Sequence, residues 1–395
     1  MKKLSYILTL LILTVAYSQA QVINLTLAEK LHSEGKLELA KSAINEAALN
    51  SQTLNNPRTW YVRLFIYKDL FKEAKGFKER IAEAENNRKI AIESGRKCID
   101  LDTKKEYNKE CYQIINFLRS SILSDGYTSF KAKDDKNAIR LLEEFMLITN
   151  SFTNTQEDAQ ANFIAGVACY RSNELLKASN FLSKAVMLNY PDGALYVYLA
   201  KVLWLQNKQM EAVLTLEKGF ERYPKMKEIV SNLYEFNKEL KRYENNRQVL
   251  TKATVNNPAD IDYWILLAIT YEDLAELKSD LDKNNVLDSA KIAYKKALEL
   301  NPNDDVASSN LGILLYNQGV NIINTVSIDT DIVGIGEIQG KALVMFKESL
   351  PYMLKAFELN PKRKETLKGL ENIYHIIGEF DKSNQFKLLY QKESE

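Results

Sequence analysis

The sequence predicts an all-α chain, a right-handed superhelical solenoid of antiparallel helix pairs with a concave inner face. Three observations predict it. Glycine (14) and proline (7) are scarce for 395 residues, which long helices tolerate and turn-rich sheets do not. Apolar residues make up 46% of the chain, enough to bury a core. The prolines also fall on a ruler: Pro191, Pro224 and Pro258 follow one another at 33 and 34 residues. Between them small and large residues recur in step. Leu199, Ala200, Ala212, Leu216 and Gly219 stand in one unit, Leu233, Leu250 and Ala253 in the next. Such a fixed period is the mark of a repeat array. A helix pair explains it, with small residues where the two helices cross and proline stopping the second.

The N-terminus, MKKLSYILTLLILTVAYSQAQ, opens with Lys2 and Lys3, continues as an apolar run to Ala16, and ends on Ser18-Gln19-Ala20. That order is a secretory signal peptide over residues 1–20, with cleavage expected after Ala20. The run is shorter than the roughly 20 residues a membrane span needs. The mature chain is therefore expected to be exported, with no integral membrane segment. Export draws attention to Cys98, Cys111 and Cys169. Cys98 and Cys111 flank a helix turn, so a disulfide is one reading; three small buried hydrophobes is the other.

Residues 21–150 read as degenerate helix pairs. Leu27, Ala28, Gly35, Ala40, Ile44 and Ala47 keep the repeat's offsets; TWYVRLFIYKDL (59–70) reads as a first helix, and Ala91, Gly95 and Cys98 as its partner after an insertion. The Lys/Glu-mixed run KGFKERIAEAENNRK (75–89) reads as a solvated helix face. TNSFTNTQED (149–158) is polar and turn-like, and marks the expected break between two sub-arrays. Residues 151–395 form the clearer array. Pro258 to Pro302 spans 44 residues and Pro302 to Pro361 spans 59, so insertions are expected near 275–288 and 318–343.

The best unit, YWILLAITYEDL (263–274) with SAKIAYKKALELNPND (289–304), places Trp264, Leu267, Ala268, Tyr271, Ala290, Tyr294, Ala297 and Pro302 as the tetratricopeptide repeat does. NLGILLYNQG (310–319) with SLPYMLKAFELNP (349–361), LKGLENIYHIIGEFDKS (367–383) and NFIAGVACYRSNELLKASNFLSKAVMLNYPD (162–192) extend the resemblance, and about nine pairs would cover the mature chain. The pattern resembles exported tetratricopeptide proteins of the Bacteroidetes group. That resemblance implies a cell-envelope setting, the periplasm of a Gram-negative bacterium foremost, and no single activity.

The chemical inventory is thin. His32 and His375 sit in the first and last units, too far apart to share a metal, and HExxH, CxxC and GxSxG motifs are absent. IVGIGEIQGKALV (332–344) fails as a phosphate loop, because Ile335 and Ala342 stand where glycine and a hydroxyl belong. It also lacks the third glycine of a dinucleotide fingerprint and the ligands of a calcium loop. It reads as an insertion whose glycines let the chain turn back. Gly340-Lys341 would start the next helix, and the apolar residues around them could plug the concave face. No cofactor or metal is expected, and Lys+Arg (53) against Asp+Glu (52) leaves no electrostatic footprint for nucleic acid.

In the family the inner groove is lined by the first helix of each pair, hereafter helix A. Carried over residue by residue, the resemblance places Phe163, Ile164, Val167, Tyr170, Val197, Tyr198, Lys201, Trp204, Asn232, Glu235, Lys238, Ile265, Leu266 and Ile269 there. Tyr61, Val62, Phe65 and Lys68 lie upstream, and Asn310, Ile313 and Tyr316 downstream. The strongest protein-binding candidates are Phe163, Tyr170, Tyr198, Lys201, Trp204, Asn232, Glu235 and Ile269, with core packing the competing role for the apolar ones. The expected function is a non-catalytic, exported scaffold that captures a protein or peptide segment. The alternatives are an enzyme or small-ligand-binding protein with its site in the insertions or the N-terminal half, and a self-associating array.

Overall fold

The structure, a computed structural model, describes residues 24–151 and 157–394; the expected signal peptide lies outside them. The described residues are helical with no strand, and they fall into two compact units that part between Tyr190 and Pro191. In the first unit the pairs are α1 (24–33) with α2 (Leu37–Leu49), and α3 (Pro57–Lys75) with α4 (Ile81–Leu101). α5 (Asn108–Lys131) with α6 (Asp135–Ser151), and α7 (Ala159–Arg171) with α8 (Leu175–Met187), complete it.

The second unit pairs α9 (Ala194–Leu205) with α10 (Gln209–Arg222) and α11 (Lys227–Glu239) with α12 (Tyr243–Asn256). There follow α13 (Ile261–Ala275) with α14 (Asp280–Leu300), α15 (Asp305–Ile323) with α16 (Ile332–Leu359), and α17 (Lys364–Ile376) with α18 (Phe380–Lys392). Within each unit a helix packs chiefly on the helices next to it in sequence, as stacked repeats do.

Local chemistry sets this layout. Pro224, Pro258, Pro302 and Pro361 each follow the C-cap of a second helix, at Tyr223, Asn257, Asn301 and Asn360. There proline cannot donate the next backbone bond. In the segments NPAD and NPND, Asp260 and Asp304 then cap the following helix by accepting from the backbone N–H of Asp262 and Ala307, each cap worth about 1 kcal/mol. Lys227 on α11 reaches Asp260 at 3.2 Å, tying one pair to the next.

Inside six pairs the turn runs through one left-handed residue: Gly35, Lys133, Asn173, Asn207, Lys241 or Gly378. The three pairs without one, α3/α4, α13/α14 and α15/α16, are those with inserted residues. Helix crossings depend on small residues. A Cβ on Gly166 would lie 2.6 Å from Leu182 Cγ, and one on Gly312 would lie 2.6 Å from Met353 Cγ. Ser349 uses the close approach at Gly312 to donate to its carbonyl at 2.6 Å.

Three expectations change. The polar stretch 149–158 does not separate the compact units. Phe145, Met146 and Ile148 before it and Ala161, Ile164 and Ala165 after it share one core, and the units part at Tyr190/Pro191. The 318–343 segment does not turn back on its glycines. α15 runs on to Ile323 and α16 begins at Ile332, where Asp331 caps it by accepting from Gly334 N–H at 2.7 Å. Gly340-Lys341 therefore lies within α16, not at its start. Ile332 and Val333 are 88% and 71% exposed, so they plug nothing. Likewise the residues near 275–288 make a short connection and the first turns of α14.

Candidate protein-binding face

Helix A of a repeat packs on its own partner and on the next pair, and a third side is left over. In the second unit that third side shows as a half-buried stripe: Tyr198, Lys201 and Trp204 on α9, Asn232 and Phe236 on α11, Leu266, Ile269 and Asp273 on α13, Asn310 and Ile313 on α15. The spacing of three or four residues keeps each set on one face. Val197 and Ile265, one residue before Tyr198 and Leu266, are buried in the core. Adjacent positions differ by about 100° around a helix, so these two point into the stack instead. The same correction applies to Ile164, Val167 and Val62 in the first unit.

The stripe has a definite anchor. Trp204 stacks on Phe236 with ring centroids 3.9 Å apart and planes at 19°. Phe236 was not among the sequence candidates; its neighbour Glu235 was, and is exposed at the rim. Asn232 donates to the Glu228 carbonyl of its own helix at 2.6 Å. Lys201 makes no ion pair among the described residues. Lys238 is exposed, with Nζ 3.3 Å from the Tyr234 hydroxyl.

The acidic end of α13 carries two perturbed carboxyls. Burial pushes Glu272 up, opposed by a hydrogen bond that the Tyr294 hydroxyl donates at 2.5 Å. Burial also pushes Asp273 up against the pull of Lys238, and its Oδ2 has no hydrogen-bond partner. The stripe thus offers a flat aromatic anchor, aliphatic contacts at Leu266 and Ile269, and one under-satisfied carboxylate to a basic group.

In the first unit Phe163 stacks on Tyr190 at 4.7 Å and 21°, and Tyr170 is half-buried near the end of α7. Tyr61 donates to Glu110 and packs on Phe65 and Tyr107, while Lys68 sits 4.6 Å above Phe65. The remaining candidates for chemistry are tied into structure. His32 Nε2 lies 2.9 Å from Asp69, and His375 packs edge-on against Phe380 at 5.3 Å. Cys98, Cys111 and Cys169 are free, buried thiols. The Cys98 sulfur and burial push Cys111 up, and burial pushes Cys169 up to about 12. Among the described residues no cluster of side chains could hold a metal, and no helix is long and apolar enough to cross a membrane.

These helix pairs, with their 34-residue spacing, proline after the second helix and small residues at the crossings, make this a protein of tetratricopeptide-like repeats. The profile of the ChAPs family, the Chs5p-Arf1p-binding proteins, matches residues 161–330, less than half the chain. No curated protein matches. Solved structures with likeness include the C-terminal part of a TPR repeat-containing protein from Cytophaga hutchinsonii. It is 14% identical over 69% of this chain and 92% of that one, with a TM-score of 0.46. YrrB, a TPR protein with an unusual peptide-binding site, is 17% identical over 54% and 91%, with a TM-score of 0.37. A thermophilic TPR protein of Thermus thermophilus is 15% identical over 51% and 91%, with a TM-score of 0.34.

Proposed function

We propose that this chain is an exported, non-catalytic scaffold of the bacterial cell envelope that captures a protein or peptide segment on the helix-A face of its second unit. The observation that carries the reading is the Trp204–Phe236 stack, flanked by half-buried Tyr198, Leu266 and Ile269. A large aromatic anchor ringed by partly covered aliphatics is how interfaces concentrate binding energy. Groove recognition of an extended or helical segment follows from that arrangement. The profile match to a family named for protein binding supports it. Lys2, Lys3 and the apolar run after them support export.

The test is affinity capture from a native envelope fraction with the mature chain and with a Tyr198→Ala/Trp204→Ala variant, alongside its circular dichroism. Loss of the captured partner with helicity retained is expected. Retained capture would overturn the reading, and so would unfolding of the variant, which would mark the two rings as core.

A further inference from the structure

The run 75–89 contains a residue that its composition hides. Arg88, amid lysines and glutamates, is 1% exposed. It closes one end of a cavity of about 260 Å³ where α3, α4, α5 and α6 meet. Phe71, Ile81, Ala84 and Leu141 form the apolar walls, and Thr128, an exposed residue, stands at the rim.

The guanidinium makes one hydrogen bond, from Nη1 to Asp125 Oδ2 at 2.6 Å. Its Nε is buried and has no partner. Nε and Nη2 form the side edge of the fork, the edge that a carboxylate can grip at two points. A buried cation with an unmade bond is costly unless something completes it.

Asp125 is shared, its Oδ1 accepting from Lys75 Nζ at 3.0 Å while Oδ2 serves Arg88. Glu85, which also lines the cavity, accepts from Arg140 at 2.8 Å, and Arg140 lies 3.8 Å from Glu144 as well. Asp125 is thus divided between two cations, and among the described residues nothing meets the Nε edge of Arg88. The volume falls below the roughly 300–1,000 Å³ of sites for drug-sized ligands, so only a small molecule fits between the apolar walls.

We propose that this cavity binds a small monocarboxylic acid with a short apolar stem, its carboxylate on the Nε edge of Arg88 and its stem against Phe71 and Leu141. Inorganic phosphate fits less well, because it offers nothing to the apolar walls.

The test is titration calorimetry of the full mature chain at low salt with sodium acetate, butyrate and hexanoate, against inorganic phosphate and chloride. Saturable binding of butyrate or hexanoate is expected, about tenfold or more tighter than phosphate. Arg88→Met should abolish it. Since Arg88→Met removes a buried ion-pair partner and could unfold the unit, Thr128→Phe provides the independent check. It blocks the rim from an exposed position whose hydroxyl bonds only the Ser124 carbonyl of its own helix. Unchanged circular dichroism with binding weakened about tenfold or more is expected of it. No saturable heat with any of the acids, phosphate binding as tightly as butyrate, or full binding by Thr128→Phe would each overturn the proposal.

Discussion

On α3 of the first unit the helix-A aromatics are already in use. Tyr61 donates to Glu110 and is wedged between Phe65 and Tyr107, Lys68 caps the Phe65 ring, and Arg63 lies 4.8 Å over Tyr67. On α9 and α11 of the second unit Trp204 and Phe236 have each other. Among the described residues no cation lies over either ring and the Trp204 indole N–H makes no hydrogen bond. By contrast, the indoles of Trp60 and Trp264 donate to backbone carbonyls six residues back, at 2.8 and 3.1 Å. Two stretches of the same repeat thus differ in whether their aromatics are spent on the fold. A ring that already has charge and hydrogen-bond partners gains little from an incoming ligand, whereas a stacked pair with one open side gains its desolvation. The comparison therefore favours the second unit as the place of binding.

That contrast can be broken most sharply at the anchor. Tyr198→Ala/Trp204→Ala should weaken partner capture by about 30-fold, the scale of a hot spot near 2 kcal/mol. Tyr61→Ala in the first unit should change capture by less than about twofold, both read by quantitative pull-down. Next in size are the crossings that both units share. Gly166→Ala in the first and Gly312→Ala in the second force a Cβ against Leu182 and Met353. Each should cost about 1–3 kcal/mol in chemical denaturation.

A pH effect is expected at Glu272 in the second unit. Glu272 has its folded pKa raised, so the folded state holds that proton more tightly than the unfolded chain does. Its destabilising charge is absent below the ordinary value of 4.5 and grows as pH rises through the raised one. Glu272→Gln, which keeps an acceptor for Tyr294, should raise the melting midpoint at pH 7 and lose that advantage below about pH 4.5. The smallest effect belongs to the start of α16: Ile332→Ser/Val333→Ser should stay within about 0.5 kcal/mol, since both side chains are exposed. A large loss there would mean the segment packs on something.

The period was legible because it is written in residues with one job each. Proline must follow a helix end, and Gly166, Gly312 and Ala290 must sit where backbones approach. The fate of the insertion was not legible. Gly334, Gly336 and Gly340 read as a loop, yet α15 lengthens alongside α16, and Gly319 admits the Phe346 ring, so the long pair stays packed.

Roughly half of the half-buried stripe proposed as the binding face was legible. Tyr198, Trp204 and Ile269 fall on it, whereas Val197 and Ile265, a single residue away, turn into the core. Sequence spacing alone does not resolve that step of about 100° when helix A is apolar on two sides. Phe236 escaped for the same reason. Arg88 escaped because a lysine- and glutamate-rich run looks solvated throughout, and only the packing of four helices shows that one of its members is buried.

The account turns on which side of the second unit meets its partner. Replacing Ile269, and separately the half-exposed Leu214 on α10, with a photo-crosslinking phenylalanine derivative compares the two sides directly within the native envelope. Covalent adducts from position 269 and none from position 214 are the predicted result. Equal adducts from both positions, or adducts from 214 alone, would contradict it.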